Sequence, residues 1–329
     1  MTELYIGDKH INAIFKDSKN IKKIYKGNKL LYHKFGGKYL TITGSNLYIS
    51  YDLVNFKKII ENVEYLDSND NIIMLRNGRE IIYTYDLINF YRYTPPMTYQ
   101  YSAYLKISNN NKFFMMDDWS TNKYLISDDG INWEKITSNI SFTGFAGTNS
   151  SIYYYNGYYY TNSNKKLFKS NNLVNWEEVI TLDMNNIYLL EFKGYLYVFC
   201  ISFNATNNVE NYYYRTNDGI NWTTYRTPFA EEFEIRTNGD ILFITTDYNY
   251  TSYGFNPGTY YSEDGINWIK SSEKTTGQFR LCYNGKKFIF HSPIDKKFYI
   301  TEDGINFTEI INEAGCYPLV YLLDEYKTN

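Results

Sequence analysis

Apolar and polar residues alternate in short runs over most of the chain, and the runs are cut by Asn-Gly and Asp-Gly turns. Segment 155–180, "YNGYYYTNSNKKLFKSNNLVNWEEVI", shows the unit: a turn at Asn156-Gly157, an aromatic run, a polar break, a second run, a seven-residue box and a third run. The segment from Tyr283, "YNGKKFIFHSPIDKKFYITEDGINFTEI", repeats it. Short β-rich runs split by Asn-Gly read as hairpin strands, because both turn residues tolerate the left-handed backbone of a tight hairpin. An apolar stretch ahead of the turn, as at 150–155 and 279–283, supplies a fourth strand. The pattern predicts an all-β chain of four-stranded units.

The box marks the units. It starts at residues 50, 84, 127, 170, 216, 262 and 301, at intervals of 34 to 46 residues. Each copy opens with Ser or Thr, has Asp or Asn third (Asp52, Asp86, Asp129, Asn172, Asp218, Asp264, Asp303) and closes on Trp or Phe. Trp133, Trp176, Trp222 and Trp268 hold that last place, four of the five tryptophans. The third side chain can accept hydrogen bonds from the backbone N–H groups that follow, the next glycine can take a positive φ at no steric cost, and the ring opens the next strand between sheets. Leu53, Leu87 and Leu173 replace that glycine. A bulky residue at positive φ is penalised, so those three turns are expected to use another geometry. The strings DDG and EDG echo a calcium loop but lack its later ligands and closing Glu, so no metal is expected.

Four strands every ~40–45 residues is the period of a propeller blade. The S/T-x-D-(x)-G-x-x-W/F pattern over 36–310 resembles the Asp-box, or BNR, repeat of sialidase-like β-propellers. The resemblance implies a seven-bladed β-propeller with each box on a peripheral turn between third and fourth strands, away from any active site. The first unit begins at its second strand, in "KFGGKYLTITGSNLYIS", and "CYPLVYLLDEY" (316–326) follows the last box without a unit of its own. The C-terminal segment is therefore expected to supply the missing inner strand and close the ring, which removes exposed edges.

Residues 35–329 would form this propeller. Residues 1–34 carry three strand–turn–strand copies, with Gly-Asp-Lys, Asp-Ser-Lys and Gly-Asn-Lys at the turns. So short a piece cannot bury a core alone. It resembles N-terminal attachment modules of phage tail and baseplate proteins of low-GC Gram-positive hosts, which implies tail or baseplate proteins as partners.

Composition excludes more than it identifies. A formal charge of −3 and the lack of a basic stripe argue against nucleic acid as partner. Cys200, Cys282 and Cys316 are scattered without a CxxC and read as small buried hydrophobes. His10, His33 and His291 have no nucleophile in a recognisable setting. No cofactor is expected. The N-terminus lacks a secretory pattern, and no apolar run approaches the ~18 residues of a membrane span. The expected location is a virion or phage-tail-like particle assembled in the bacterial cytoplasm, with a homo-oligomer compatible with that setting.

Sialidase chemistry in the resembling family uses an arginine triad, a Tyr/Glu nucleophile pair, an acidic acid/base and an F/YRIP motif. No RIP string occurs. Of the seven arginines, Arg76, Arg79, Arg92, Arg215, Arg226, Arg236 and Arg280, only the last two fall on inner strands, with Glu191 and Glu234 in the same strand-position class. The expectation is that the chain is not an enzyme and has no catalytic residue, a sialidase-like glycoside hydrolase being the alternative.

Loops joining second and third strands should lie opposite the box turns. They are brief in most units but long at 203–211 and 247–259, and 117–122 holds the one tryptophan outside a box. The connection at 93–104 should emerge on the same face. Variable loops on a rigid ring are where binding tends to sit, and Tyr with short polar side chains suits adaptable recognition. The candidate ligand-binding residues are Trp119, Asn207, Asn208, Tyr248, Tyr250, Tyr253 and Phe255. The functional expectation is a receptor-binding tail protein that binds a host cell-surface glycan, with a purely structural baseplate component as the other reading.

Overall fold

A computed structural model of the chain describes residues 5–6, 9–10, 14–16, 19–21, 23–26, 29–33, 39–68, 72–85, 87–95, 104–116, 121–142, 152–184, 186–201, 211–228, 233–246, 257–274, 281–283, 287–292, 297–311 and 319–322. No helix among them is long and apolar enough to cross a membrane.

Six four-stranded antiparallel sheets follow one another, each pairing its strands in chain order. Blade 2 is Tyr65–Ser68, Ile73–Asn77, Glu80–Thr84 and Phe90–Tyr93; blade 3 is Tyr104–Ile107, Phe113–Met116, Thr121–Ser127 and Glu134–Phe142. Blade 4 is Tyr153–Tyr155, Tyr158–Ser163, Lys166–Ser170 and Glu177–Thr181; blade 5 is Asn186–Phe192, Tyr195–Ile201, Tyr212–Thr216 and Thr223–Arg226. Blade 6 is Phe233–Thr237, Leu242–Thr246, Thr259–Ser262 and Ile269–Ser272; blade 7 is Leu281–Tyr283, Phe288–Ser292, Lys297–Thr301 and Thr308–Ile311.

Blade 1 is assembled from both ends of the ring. Its outer strands are Tyr39–Thr43, Asn46–Ser50 and Lys57–Glu61, and its innermost is Leu319–Leu322, paired from Leu319↔Ile42 to Leu322↔Tyr39. First strands of blades 2 and 3, 4 and 5, 5 and 6, 6 and 7, and 7 and 1 touch each other. These strands line the axis, and the C-terminal strand completes the circle. The chain is a seven-bladed β-propeller closed by its C-terminal strand. Ahead of it, Tyr5–Ile6 with Lys9–His10, Ile14–Lys16 with Lys19–Ile21, and Lys23–Lys26 with Lys29–His33 pair as three antiparallel hairpins.

The core lies in the seams between blades. Second strands are packed on both faces, so they read as unbroken apolar runs: Phe113–Met116 and Leu242–Thr246 are buried throughout. Fourth strands face water and carry charge on that side, as in Glu177–Thr181. In the seam between blades 5 and 6, Leu190, Tyr197, Phe199 and Tyr213 pack on Phe233, Ile235, Leu242 and Ile244. Each large side chain so buried contributes roughly 1.5–3 kcal/mol relative to exposure.

Register defines two ends of the ring. Leu322 pairs with Tyr39, which pairs with Ser50, the first residue of a box. The ring polypeptide therefore begins and finishes at the end that carries the box turns. Second and third strands are joined at the opposite end.

Candidate functional site

Each described box closes on its own third residue. In blade 3, Asp129 Oδ1 accepts from Ile131 N at 2.8 Å and Asn132 N at 2.7 Å, Oδ2 accepts from Asn132 Nδ2 at 2.6 Å, and Ser127 Oγ accepts from Gly130 N at 2.9 Å. Asp52, Asp218, Asp264 and Asp303 repeat the pattern. Asn172 accepts from Val174 N and Asn175 N at 3.0 and 2.9 Å. Asp86 lies outside the described residues, though Leu87 N still donates to Thr84 Oγ1 at 2.9 Å. Burial pushes the Asp129, Asp264 and Asp303 carboxyls upward, but the donated N–H bonds outweigh it and hold all three at about 2. Both carboxylate oxygens serve the turn, so these acids hold the fold.

The expectation for the leucine copies is wrong. Leu53, Leu87 and Leu173 all have φ 63°, close to the 73–78° of Gly130, Gly219, Gly265 and Gly304. One turn is built with either residue. What differs is the neighbour. A Cβ on Gly219 would overlap Tyr160 Oη, one on Gly265 would overlap Tyr197 Oη, and one on Gly304 would lie 3.1 Å from Phe243. The leucines fill that space themselves: Leu87 packs with Leu40, Leu173 with Phe114 and Leu53 with Ile289. Tyrosine hydroxyls then tie seams to the box carbonyls: Tyr93 donates to Gly130 O at 2.8 Å, Tyr213 to Gly265 O at 2.9 Å, and Tyr124 to Leu173 O. Among the box rings Trp176 is buried, donating Nε1 to Leu173 O at 3.2 Å; Trp133 donates to Tyr93 Oη, and Trp222 and Trp268 pack half-buried on the seams of blades 4–5 and 5–6.

The axis offers a different chemistry. Counting through the paired strands from each box, Ser68, Ile107, Tyr154, Glu191 and Thr237 occupy one layer of first-strand residues. The next layer is Asp67, Lys106, Tyr153, Leu190 and Arg236, with Cys282 and Tyr321 at the same register. Beneath it Leu66, Leu105, Leu189 and Ile235 form a buried apolar layer. Asp67 Oδ2 accepts from Ile107 N of the next blade at 3.0 Å and Oδ1 from Ser68 N at 2.9 Å. Tyr153 Oη likewise accepts from Glu191 N at 3.0 Å, and Asn109 Oδ1 from Tyr154 N at 2.7 Å. Three successive seams thus capture the same backbone N–H with three residue types. Desolvation raises the Asp67 carboxyl despite Lys106 and those two N–H groups. The Arg236 guanidinium turns back to Ile235 O at 2.7 Å and lies 5.9 Å from the Tyr188 ring.

Sequence reasoning found Arg236 but missed Asp67, Lys106 and Tyr153; counting residues back from each box would have aligned them. It also grouped Glu191 with Glu234. The register separates them by three positions, about 10 Å along a strand, on opposite strand faces, with Glu191 exposed and Glu234 buried. Trp119, Asn207, Asn208, Tyr248, Tyr250, Tyr253, Phe255 and Arg280 lie outside the described residues. Cys200 is buried, and burial pushes its thiol up to about 12. Among the described residues no group of three His, Cys, Asp or Glu side chains could hold a metal ion.

No protein-family profile and no curated protein matches the sequence. Solved structures do. Virginiamycin B lyase from Staphylococcus aureus is similar at TM-score 0.49 and 12% identity, over 89% of this chain and 88% of that one. Apo AztD from Citrobacter koseri is similar at TM-score 0.49 and 8% identity, over 86% and 97%. A streptogramin B lyase is similar at TM-score 0.45 and 11% identity, over 84% and 93%. Such distant likeness carries nothing about substrate or mechanism. Two of these proteins are enzymes by name, however, and the expectation that this chain is not an enzyme is corrected on that finding: a ring of this kind does not argue against catalysis.

Proposed function

We propose that the chain is a tail protein of a phage or phage-tail-like particle whose ring, of the Asp-box (BNR) sialidase-like type, binds a host cell-surface glycan. The reading is supported most by the two-ended build of the ring. The N-terminal hairpins precede Tyr39, which sits at the box end, whereas 202–210 and 247–256 connect strands at the opposite end. A chain that enters the ring at one end and has its long Tyr- and Asn-rich connections between strands that end at the other suits a protein that is anchored and reaches outward. The box acids spend both carboxylate oxygens on their own turns, which supports a structural part for them rather than one in recognition.

Binding of the full-length chain to cells of a low-GC Gram-positive panel tests it. Tyr250→Ala with Tyr253→Ala should weaken binding by roughly tenfold or more, as loss of stacking rings does, at unchanged melting temperature. Binding unaffected by that pair contradicts the loop assignment. Incorporation into particles without any cell binding would favour a structural baseplate component. Release of reducing sugar, abolished by Arg236→Ala, would move the function to the axis.

A further inference from the structure

Several cations on the blades meet acids: Arg76 meets Glu64 at 3.1 Å, Arg92 meets Glu80, Lys166 meets Glu178 at 2.7 Å, and Lys297 meets Glu309 at 2.7 Å. Arg215 departs from this. It has no carboxylate within 4.0 Å among the described residues, and its Nη1 donates to Tyr197 Oη at 3.2 Å. Its guanidinium carbon lies 4.5 Å from the Tyr195 ring centroid and 5.0 Å from that of Tyr225. The three residues sit on adjacent strands of blade 5 and are each half-buried. The position directly before the box is Ile49, Tyr83, Ile126, Lys169, Tyr261 or Ile300 elsewhere, so the arginine is no requirement of the repeat.

We propose that Arg215, held between Tyr195 and Tyr225, is an oxyanion-binding site for a carboxylate or phosphate group. A guanidinium presents five N–H donors in a planar fork that fits either group two bonds at a time. Tyr197 takes one donor and the Tyr225 hydroxyl is a second hydrogen-bonding neighbour, so the remaining N–H groups are the place for a partner. Held in this way, the fork loses little freedom on binding. A half-buried cation without a counter-charge is also poorly solvated, which an arriving anion corrects. Blade 4 is the internal control: Lys169 lies 5.0 Å over the single ring of Tyr158, a point charge without a fork. The site lies at the box end, opposite the long loops, so it stands or falls apart from the glycan reading.

Isothermal titration of the full-length chain with inorganic phosphate and with glucuronate at low salt tests this. Saturable binding is expected, weakened about tenfold or more by Arg215→Lys, whose ammonium cannot form the fork, and unchanged by Lys169→Ala. A response to phosphate alone assigns the site to phosphoryl ligands, and one to glucuronate alone to carboxylates. Should Arg215→Ala fail to fold, the lysine variant still decides. Absence of saturable binding by either anion up to on the order of 50 mM, or equal binding by Arg215→Lys, overturns the proposal.

Discussion

The glycine seams and the leucine seams make the same turn in opposite ways. Where the box has Gly130, Gly219, Gly265 or Gly304, the preceding blade sends Met74, Tyr160, Tyr197 or Phe243 against it. Where the box has Leu53 or Leu87, the preceding blade offers the shorter Ile289 or Leu40, and the leucine is the knob. Leu173 shares its cluster with the larger Phe114. A left-handed backbone costs a leucine about 1–2 kcal/mol, and burying its side chain returns more than that. The φ angle follows from the turn; the residue that adopts it follows from the neighbour.

Filling a glycine seam should do the most damage. Gly265→Leu drives a side chain into Tyr197, which is fully buried beside the stacked rings of Phe199 and Tyr213. Loss of more than about 3 kcal/mol is expected in urea unfolding, because overpacking and backbone strain add. Next comes Trp176→Ala, in a leucine seam, at roughly 3–5 kcal/mol for a buried ring. The half-buried Trp133 of a glycine seam should cost less in the same assay. Emptying a leucine seam is milder. Leu53→Gly forfeits about 3 kcal/mol of packing and recovers about 1 from the backbone, a net loss near 2 by the same measurement.

The smallest effect is electrostatic. Box carboxylates titrate lower in the fold than in the unfolded chain, so their contribution is complete above the unfolded value near 4 and is lost as pH falls through about 2. The blade 4 box carries Asn172 and takes no part. Asn172→Asp should therefore widen the drop in melting temperature between pH 6 and pH 3, and Asp218→Asn should narrow it. Equal drops in both would separate acid sensitivity from the boxes.

The ring was legible because its signal repeats: seven boxes, aromatic closures and Asn-Gly turns fix blade count, and the orphan strand at 316–326 announces the closure. The leucine turns were misread because each was judged by its own side chain, whereas Ile289 and Leu40 lie a blade away and dozens of residues or more in sequence. Arg215 passed unnoticed for a related reason. Tyr195 and Tyr197 precede it by a long loop and Tyr225 follows the box, so their meeting appears only once strand register is known. The axial layer was half legible: Arg236 stands out by type, whereas Asp67 and Lys106 needed counting from the box.

At each seam the box and its preceding blade share one space, and a double-mutant cycle measures that sharing. Gly219→Ala would overlap only the Tyr160 hydroxyl, the ring Cζ being at 3.6 Å, whereas on Gly265 the Tyr197 Cζ itself is at 2.7 Å. Tyr160→Phe should therefore rescue Gly219→Ala, with a coupling of about 1–3 kcal/mol, and Tyr197→Phe should leave Gly265→Ala largely unrescued. Additive stabilities at the first seam, or full rescue at both, would contradict it.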